Sequence, residues 1–168
     1  MNEGNYGECT VVRKATTKDF VIKGLLIAGA SLLTFLGVLV PFLLLVAAIA
    51  WYLIFAFWSR FNVVYEYVFV DGQFDFDKIL GGNARKHIKR IDLDTAIVVA
   101  PQRSHALDGY KHLQGKPFDY TSLDPERENL VYVIVNKGKT DNEIIRFEPD
   151  ESMLALMKKK APRKIQEY

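Results

Sequence analysis

"SHALDGY", Ser104 to Tyr110, brings a hydroxyl, an imidazole and a carboxylate into one short stretch of the chain. Ser104 and His105 are adjacent, and adjacent side chains do not readily present a nucleophile to its base with Asp108 as the orienting acid. The stretch therefore reads as a loop with turn chemistry. His87, His105 and His112 lack the spacing of zinc ligands. The single cysteine, Cys9, has no internal disulfide partner and no metal-ligand neighbour, so it reads as a half-buried thiol on the reducing side of a membrane. Asp75 and Asp77, and likewise Asp92 and Asp94, fall on one face of a strand; a solvated face accounts for both pairs more simply than paired acid catalysis. Gly81 to Arg85, "GGNAR", lacks phosphate-loop spacing and a Lys-Ser/Thr pair, and reads as a strand connection. The expectation is no catalytic residue, no cofactor and no metal, with an enzyme the least favoured class.

The basic residues carry the stronger signal. Arg85, Lys86, Lys89 and Arg90 form one cluster; Lys158, Lys159, Lys160, Arg163 and Lys164 form a second. Beside an anionic cytoplasmic leaflet each cation contributes about 1 kcal/mol of attraction. The competing account makes the first cluster a solvated strand face and the second a helix C-terminus. A formal net charge of +2 is too balanced to indicate nucleic acid.

These residues need elements to hold them, and the chain is sharply segregated. No charge occurs from Gly24 to Ser59, although the whole chain is 25% charged. As one helix that run would reach ~54 Å, against a hydrocarbon core of about 30 Å. Two helices, Phe20 to Leu39 and Pro41 to Ser59, fit without extreme tilt. Pro41 cannot donate inside a helix but suits the first turn of a new one, and Gly37 loosens the end of the first. The spacing predicts a hairpin turning near 37–41. Arg13, Lys14, Lys18 and Lys23 precede it and Arg60 follows, which puts both flanks in the cytoplasm. "AIA" at Ala48 to Ala50 resembles a signal cleavage site, but the apolar run before it is too long for a signal peptide. Gly24, Gly29, Ala30 and Ser31 permit close helix approach.

The remainder reads as strands closed by a helix. In "VVYEYVFVDGQFDFDKI", Asp71-Gly72 suits a type I′ turn, pairing Phe69 with Phe74 and Tyr67 with Phe76. Tyr65 shares their face, while Glu66, Asp75 and Asp77 fall on the other. Further strands are expected at Lys86 to Leu93, Thr95 to Ala100, Leu130 to Asn136 and Glu143 to Phe147, with "NKGKTDN" turning between the last two. Pro101 to Asn129 is a long connection. Asp150 is the expected N-cap of a helix over about 150–160 with Met153, Leu154, Leu156 and Met157 as its apolar stripe, stopped by Pro162. "YGECTVVRK" alternates and could add a strand on the same side, clamping the chain before the hairpin to the domain after it. The expected division is 1–19 as a cytoplasmic segment with that strand, 20–59 as the transmembrane hairpin, and 60–168 as the cytoplasmic β-rich domain.

Strands followed by one C-terminal helix resemble the pleckstrin-homology-like barrel, a resemblance carried by "YEYVFVDGQF" and "ARKHIKRIDLDTAIVV" over Val63 to Ala100. The whole chain resembles an uncharacterised family of small bacterial membrane proteins. The matching residues are Glu8-Cys9, Tyr65 to Tyr67, Val70 to Gly72, Asp75 to Gly81, Leu107 to Tyr110, Phe147 to Pro149 and Ala161 to Lys164. The resemblance implies an α+β fold and no activity. The expectation is a non-enzymatic module integral to the cell membrane, with two spans and both termini cytoplasmic. Its domain would bind a protein partner or anionic lipid headgroups. The alternative is an accessory subunit whose hairpin packs against a larger membrane protein.

Overall fold

The computed structural model describes residues 6–82, 84–110, 117–138 and 141–166. In chain order these form β1 (Tyr6–Val12), α1 (Thr17–Leu39), α2 (Pro41–Trp58), β2 (Val63–Val70), β3 (Gln73–Leu80), β4 (Ala84–Asp92), β5 (Ala96–Pro101), β6 (Phe118–Asp119), β7 (Tyr132–Lys137), β8 (Asn142–Phe147) and α3 (Glu151–Lys160). The strands make two sheets, β1-β2-β3-β4 and β5-β7-β8-β6. All neighbours are antiparallel except β6, which runs parallel to β8.

α1 and α2 are long and apolar enough to cross a membrane, and their apolar side chains are mostly exposed. At 1.5 Å per residue α2 is ~27 Å long, close to the thickness of a bilayer's hydrocarbon. Val40 alone links the helices, in an extended conformation, with Pro41 opening α2. Gly37 lets them meet, because a Cβ there would stand 2.7 Å from a Leu44 methyl and 2.9 Å from the Leu44 nitrogen. Trp51 Nε1 donates to Thr34 Oγ1 at 3.2 Å, and that hydroxyl donates to the Ala30 carbonyl at 2.8 Å. Trp51 and Thr34 thereby find hydrogen-bond partners inside the hairpin. α1 starts at Thr17 rather than Phe20, because the Asp19 carboxylate accepts from both the backbone nitrogen and the hydroxyl of Thr16, each at 2.8 Å.

The two apolar helices are inserted between antiparallel neighbours. β1 pairs with β2 from Tyr6↔Val70 to Val12↔Val64, and Arg13 N donates to Val63 O at 2.9 Å. The hairpin thus occupies the place of a β-turn, and both its ends are fastened into one sheet. This fixes a direction. Val12 and Val63 mark the end of the sheet next to the helices, and the β2–β3 turn marks the end away from them.

That turn has the expected geometry. Asp71 and Gly72 have φ of 52° and 96°, and the register pairs Phe69 with Phe74 and Tyr67 with Phe76. These rings, with Tyr65, Tyr120 and Phe147, fill the space between the sheets. Phe74 and Phe76 lie 4.8 Å apart, and Phe147 meets Phe74 edge-on at 5.2 Å. The buried Tyr67 hydroxyl donates to the Tyr120 carbonyl at 2.5 Å. α3 closes the sandwich with Met153 and Met157 fully buried, its N-terminus capped by Asp150, which accepts from Met153 N at 2.8 Å. Val at position 72 would face both the positive φ and the stem of Lys160, whose Cε stands 3.0 Å from the added Cβ. Gly72→Val is expected to lower the domain's melting temperature by at least about 4 °C, whereas Gly72→Asn, which tolerates positive φ, should cost less.

The long connection holds two 3₁₀ turns, His105–Tyr110 and Pro125–Leu130, with β6 between them. His112 and residues 139–140 of the "NKGKTDN" turn lie outside the described residues. The tail after α3 returns to the sheets: Ile165 bridges Val99 in parallel, and Gln166 N donates to Val99 O at 2.8 Å.

Candidate functional site

β4 carries the whole first basic cluster but distributes it over two faces. A register irregularity at Phe76/Asp77 sets Phe76 opposite Lys89 and Asp77 opposite His87, skipping Ile88. Arg85, His87 and Arg90 share the sheet's outer face. Lys89 turns the other way, reaching Glu143 Oε2 at 2.7 Å with its ammonium 4.1 Å from the Phe118 ring centre. Arg90 Nε and Nη2 grip the Asp75 carboxylate at 2.5 and 2.7 Å. Lys86 is exposed, opposite Lys78 on β3.

Arg85 closes over two carboxylates. Glu66 on β2 and Asp77 on β3 stand directly opposite each other and are only 7% and 8% exposed. Asp77 therefore does not lie on the solvated face its spacing suggested, because long cationic side chains fold across it. Arg85 Nη2 pairs with Glu66 Oε2, while Arg85 Nε donates to Asp77 Oδ2 at 2.7 Å and His87 Nδ1 lies 2.8 Å from Asp77 Oδ1. Burial raises the Glu66 carboxyl above its ordinary range, and a hydrogen bond with Glu8 adds to the shift. Burial also pushes Asp77 upward, but hydrogen bonds from His87 and Arg85 outweigh it and hold the group below its ordinary value. Glu8 sits below its usual range because the Tyr6 hydroxyl donates to it. Arg85 is shared between Glu66 and Asp77, as in a structural ion network.

The second cluster occupies the opposite end of the molecule from the hairpin. α3 passes β1 with Leu156 against Gly7 and ends with Lys160 against Gly72. Lys158, Lys159, Lys160 and Arg163 are exposed there. Lys164 is spoken for: its ammonium donates to the Leu93 and Asp94 carbonyls at 3.1 and 2.6 Å, tying the tail to the β4–β5 turn. Asp71, Asp92 and Asp94 share this end, so the surface is basic along α3 and mixed beside it. Near the hairpin the cations are Arg13 (3.3 Å from Asp19), Lys14 (2.7 Å from Asp124), the exposed Lys18, and Lys23 and Arg60, which lie over aromatic rings.

Glu148 lies outside every candidate site read from the sequence. It is 2% exposed and accepts from Ser122 N and Oγ at 2.7 and 2.6 Å, while its other oxygen lies 3.0 Å from Arg127 Nε. Its one signal was a place beside Phe147 in the "FEP" stretch. With Asp119, Asp124 and Arg146 it borders a shallow groove of about 330 Å³. Ser104 Oγ accepts from Ala106 N at 3.3 Å, and His105 turns to Asp108 at 3.1 Å, a local turn rather than a nucleophile–base pair. Among the described residues no three His, Cys, Asp or Glu side chains gather as metal ligands.

Two four-stranded sheets packed over an aromatic core and closed by a C-terminal helix agree with a family model described as a bacterial PH-like domain, DUF6106, which matches residues 3–167. The chain belongs to this family. No curated protein and no solved structure matches it. The family match spans the apolar helices as well as the PH-like domain, in keeping with a hairpin built into the sheet rather than appended to it. The family is one of unknown function.

Proposed function

We propose that this chain is a membrane-anchored, non-enzymatic binding module. In this reading the hairpin crosses the bilayer twice, and the PH-like domain stands at the cytoplasmic face with both termini on that side. The domain offers the exposed cations of α3 to an acidic protein partner. The observation that carries the reading is directional: the helices enter the sheet at Val12 and Val63, while Lys159 and Lys160 lie beside Asp71 and Gly72, with Arg163 exposed just past the end of α3. A β2 of 8 residues separates the two ends by ~26 Å, beyond the reach of unscreened attraction to the membrane surface at physiological salt. Cations at that distance suit a partner in solution better than the leaflet holding the anchor. Cations around the helix ends bracket the apolar run as the positive-inside rule requires. Within the two basic clusters the lipid-headgroup reading is favoured only for Lys86, which is exposed toward the hairpin end of β4. The accessory-subunit reading draws on the exposed apolar faces of α1 and α2.

The test is quantitative capture of the full chain from native membranes in mild detergent. Wild type is compared with a Lys159→Glu, Lys160→Glu, Arg163→Glu variant. A partner depleted tenfold or more by the charge reversals and by 0.5 M salt is the expected result, about the effect of removing three charge-assisted contacts. An unchanged set of partners would overturn the protein-partner reading. Flotation of the domain with anionic liposomes, lost on the same substitutions, would replace it with the lipid one.

A further inference from the structure

The groove between α1 and α2 has a shape and a charge distribution that the anchor alone does not require. It encloses about 420 Å³ in the half of the hairpin nearer the domain, between Leu26, Gly29 and Leu33 on one side and Ala50, Ile54 and Phe57 on the other. Gly29 opens it, since nothing lies within 4 Å of where its Cβ would stand. Toward the turn the helices close up through the Gly37–Leu44 contact and the Trp51–Thr34 hydrogen bond. The groove runs ~12 Å along the helix axis from the level of Leu33 to that of Leu25.

Its domain end is cationic. Lys23 Nζ lies 5.0 Å from the centres of both the Trp58 and Phe61 rings, and Phe61 itself lines the groove. The Arg60 guanidinium lies 4.5 Å over the ring of Phe57, another lining residue. The nearest carboxylate on α1, Asp19, is held by Thr16 and Arg13. An apolar slot whose end residues Phe57 and Phe61 each carry a cation over the ring is complementary to an amphiphile with an anionic head.

We propose that this groove is a binding site for an anionic phospholipid of the domain-side leaflet. One acyl chain lies along Gly29 and Ala50, and the phosphate sits between Lys23 and Arg60. The proposal rests on the hairpin being embedded in a bilayer, as the functional reading above holds. It assigns a lipid to a site outside both basic clusters of the domain.

The chain has two tryptophans, so the difference in quenching between the parent chain and Trp58→Phe isolates Trp58 at the mouth of the groove and leaves the Trp51–Thr34 bond in place. The full chain is placed in nanodiscs carrying phospholipids with brominated acyl chains, which quench tryptophan on contact. Brominated phosphatidylglycerol is expected to quench Trp58 at up to about thirtyfold lower mole fraction than brominated phosphatidylcholine, the upper scale two leaflet-facing cations supply. Lys23→Gln with Arg60→Gln should abolish that preference while leaving general quenching in place. Gly29→Leu, which fills the slot without touching charge, should also reduce it. Equal quenching by the two lipids in the parent chain, whether phosphatidylcholine or a second copy's helix fills the groove, would overturn the site. Quenching by neither lipid would instead overturn the membrane placement on which it rests.

Discussion

A chain in which Lys14 is joined to Phe61 through a short glycine–serine turn will fold and melt cooperatively, whereas a chain beginning at Phe61 will not. Both lack the apolar helices, and they differ in β1 with the Arg13 and Lys14 that follow it, Lys14 N donating to Ser122 O at 2.7 Å. The prediction follows from Val12 lying opposite Val64, with Arg13 already bonded to Val63: a turn can replace the hairpin at almost no cost in geometry. Loss of β1 removes the buried Val11 and the half-buried Cys9, whose Sγ lies 3.7 Å from the Glu148 carbonyl. It also bares one edge of β2 and the flank of α3 that rests on Gly7. Burial of Val11 alone is worth about 1.5–3 kcal/mol. Adding the backbone ladder and the α3 contact takes the loss to the scale of a small domain's whole stability, ~5–15 kcal/mol. Thermal melts by circular dichroism decide it: a sharp transition for the turn-closed chain and none for the truncated one. Equal melting of the two would show that β1 is dispensable to the fold.

The second large effect lies in the aromatic core. Phe76 is 1% exposed and touches four rings: Tyr67, Phe74, Tyr120 and Phe147, with centres 4.8 to 5.9 Å away. Phe76→Ala in the turn-closed domain is expected to cost about 3–5 kcal/mol, combining lost transfer energy with a cavity that rigid aromatic neighbours cannot fill. Phe76→Leu keeps much of the volume and should cost roughly half as much. The solvent-facing Phe118, 42% exposed, provides the contrast: Phe118→Ala should cost under about 1 kcal/mol. Urea unfolding midpoints at constant slope measure all three. Comparable losses at positions 76 and 118 would contradict this placement of the core.

The parts legible in the sequence were those fixed by local periodicity. Alternation on both sides of Asp71-Gly72 predicted the β2–β3 pairing residue by residue, and Asp150 with the methionine stripe predicted α3. The less legible parts depend on contacts distant in sequence. Lys89 and Arg90 look like one cluster with Arg85, but the skipped Ile88 sends Lys89 toward Glu143 on the other sheet. Asp77 looks solvated until Arg85 and His87 fold across it. Lys164 reads as one more surface lysine, though it caps carbonyls 70 and 71 residues away in the chain. Ile165 is a lone apolar residue in a basic tail, too short a signal for the bridge it makes with Val99. Gly29, read as a point of close helix approach, instead opens a groove.

The central claim is that the hairpin crosses the bilayer and returns, leaving β1 and the domain together on the cytoplasmic side. Cys9 is the only native thiol, and burial raises its pKa, so it reports poorly and is best replaced by alanine. Single cysteines then go to three exposed positions: Ala15 before α1, Val40 at the turn, and Gln166 in the tail. In intact spheroplasts a membrane-impermeant maleimide is expected to label the Val40→Cys chain within minutes. Ala15→Cys and Gln166→Cys should react only after the membrane is opened. Labelling of Gln166→Cys but not Ala15→Cys, or the reverse, would mean a single crossing; labelling of both from outside, with Val40→Cys protected, would invert the orientation and contradict the account.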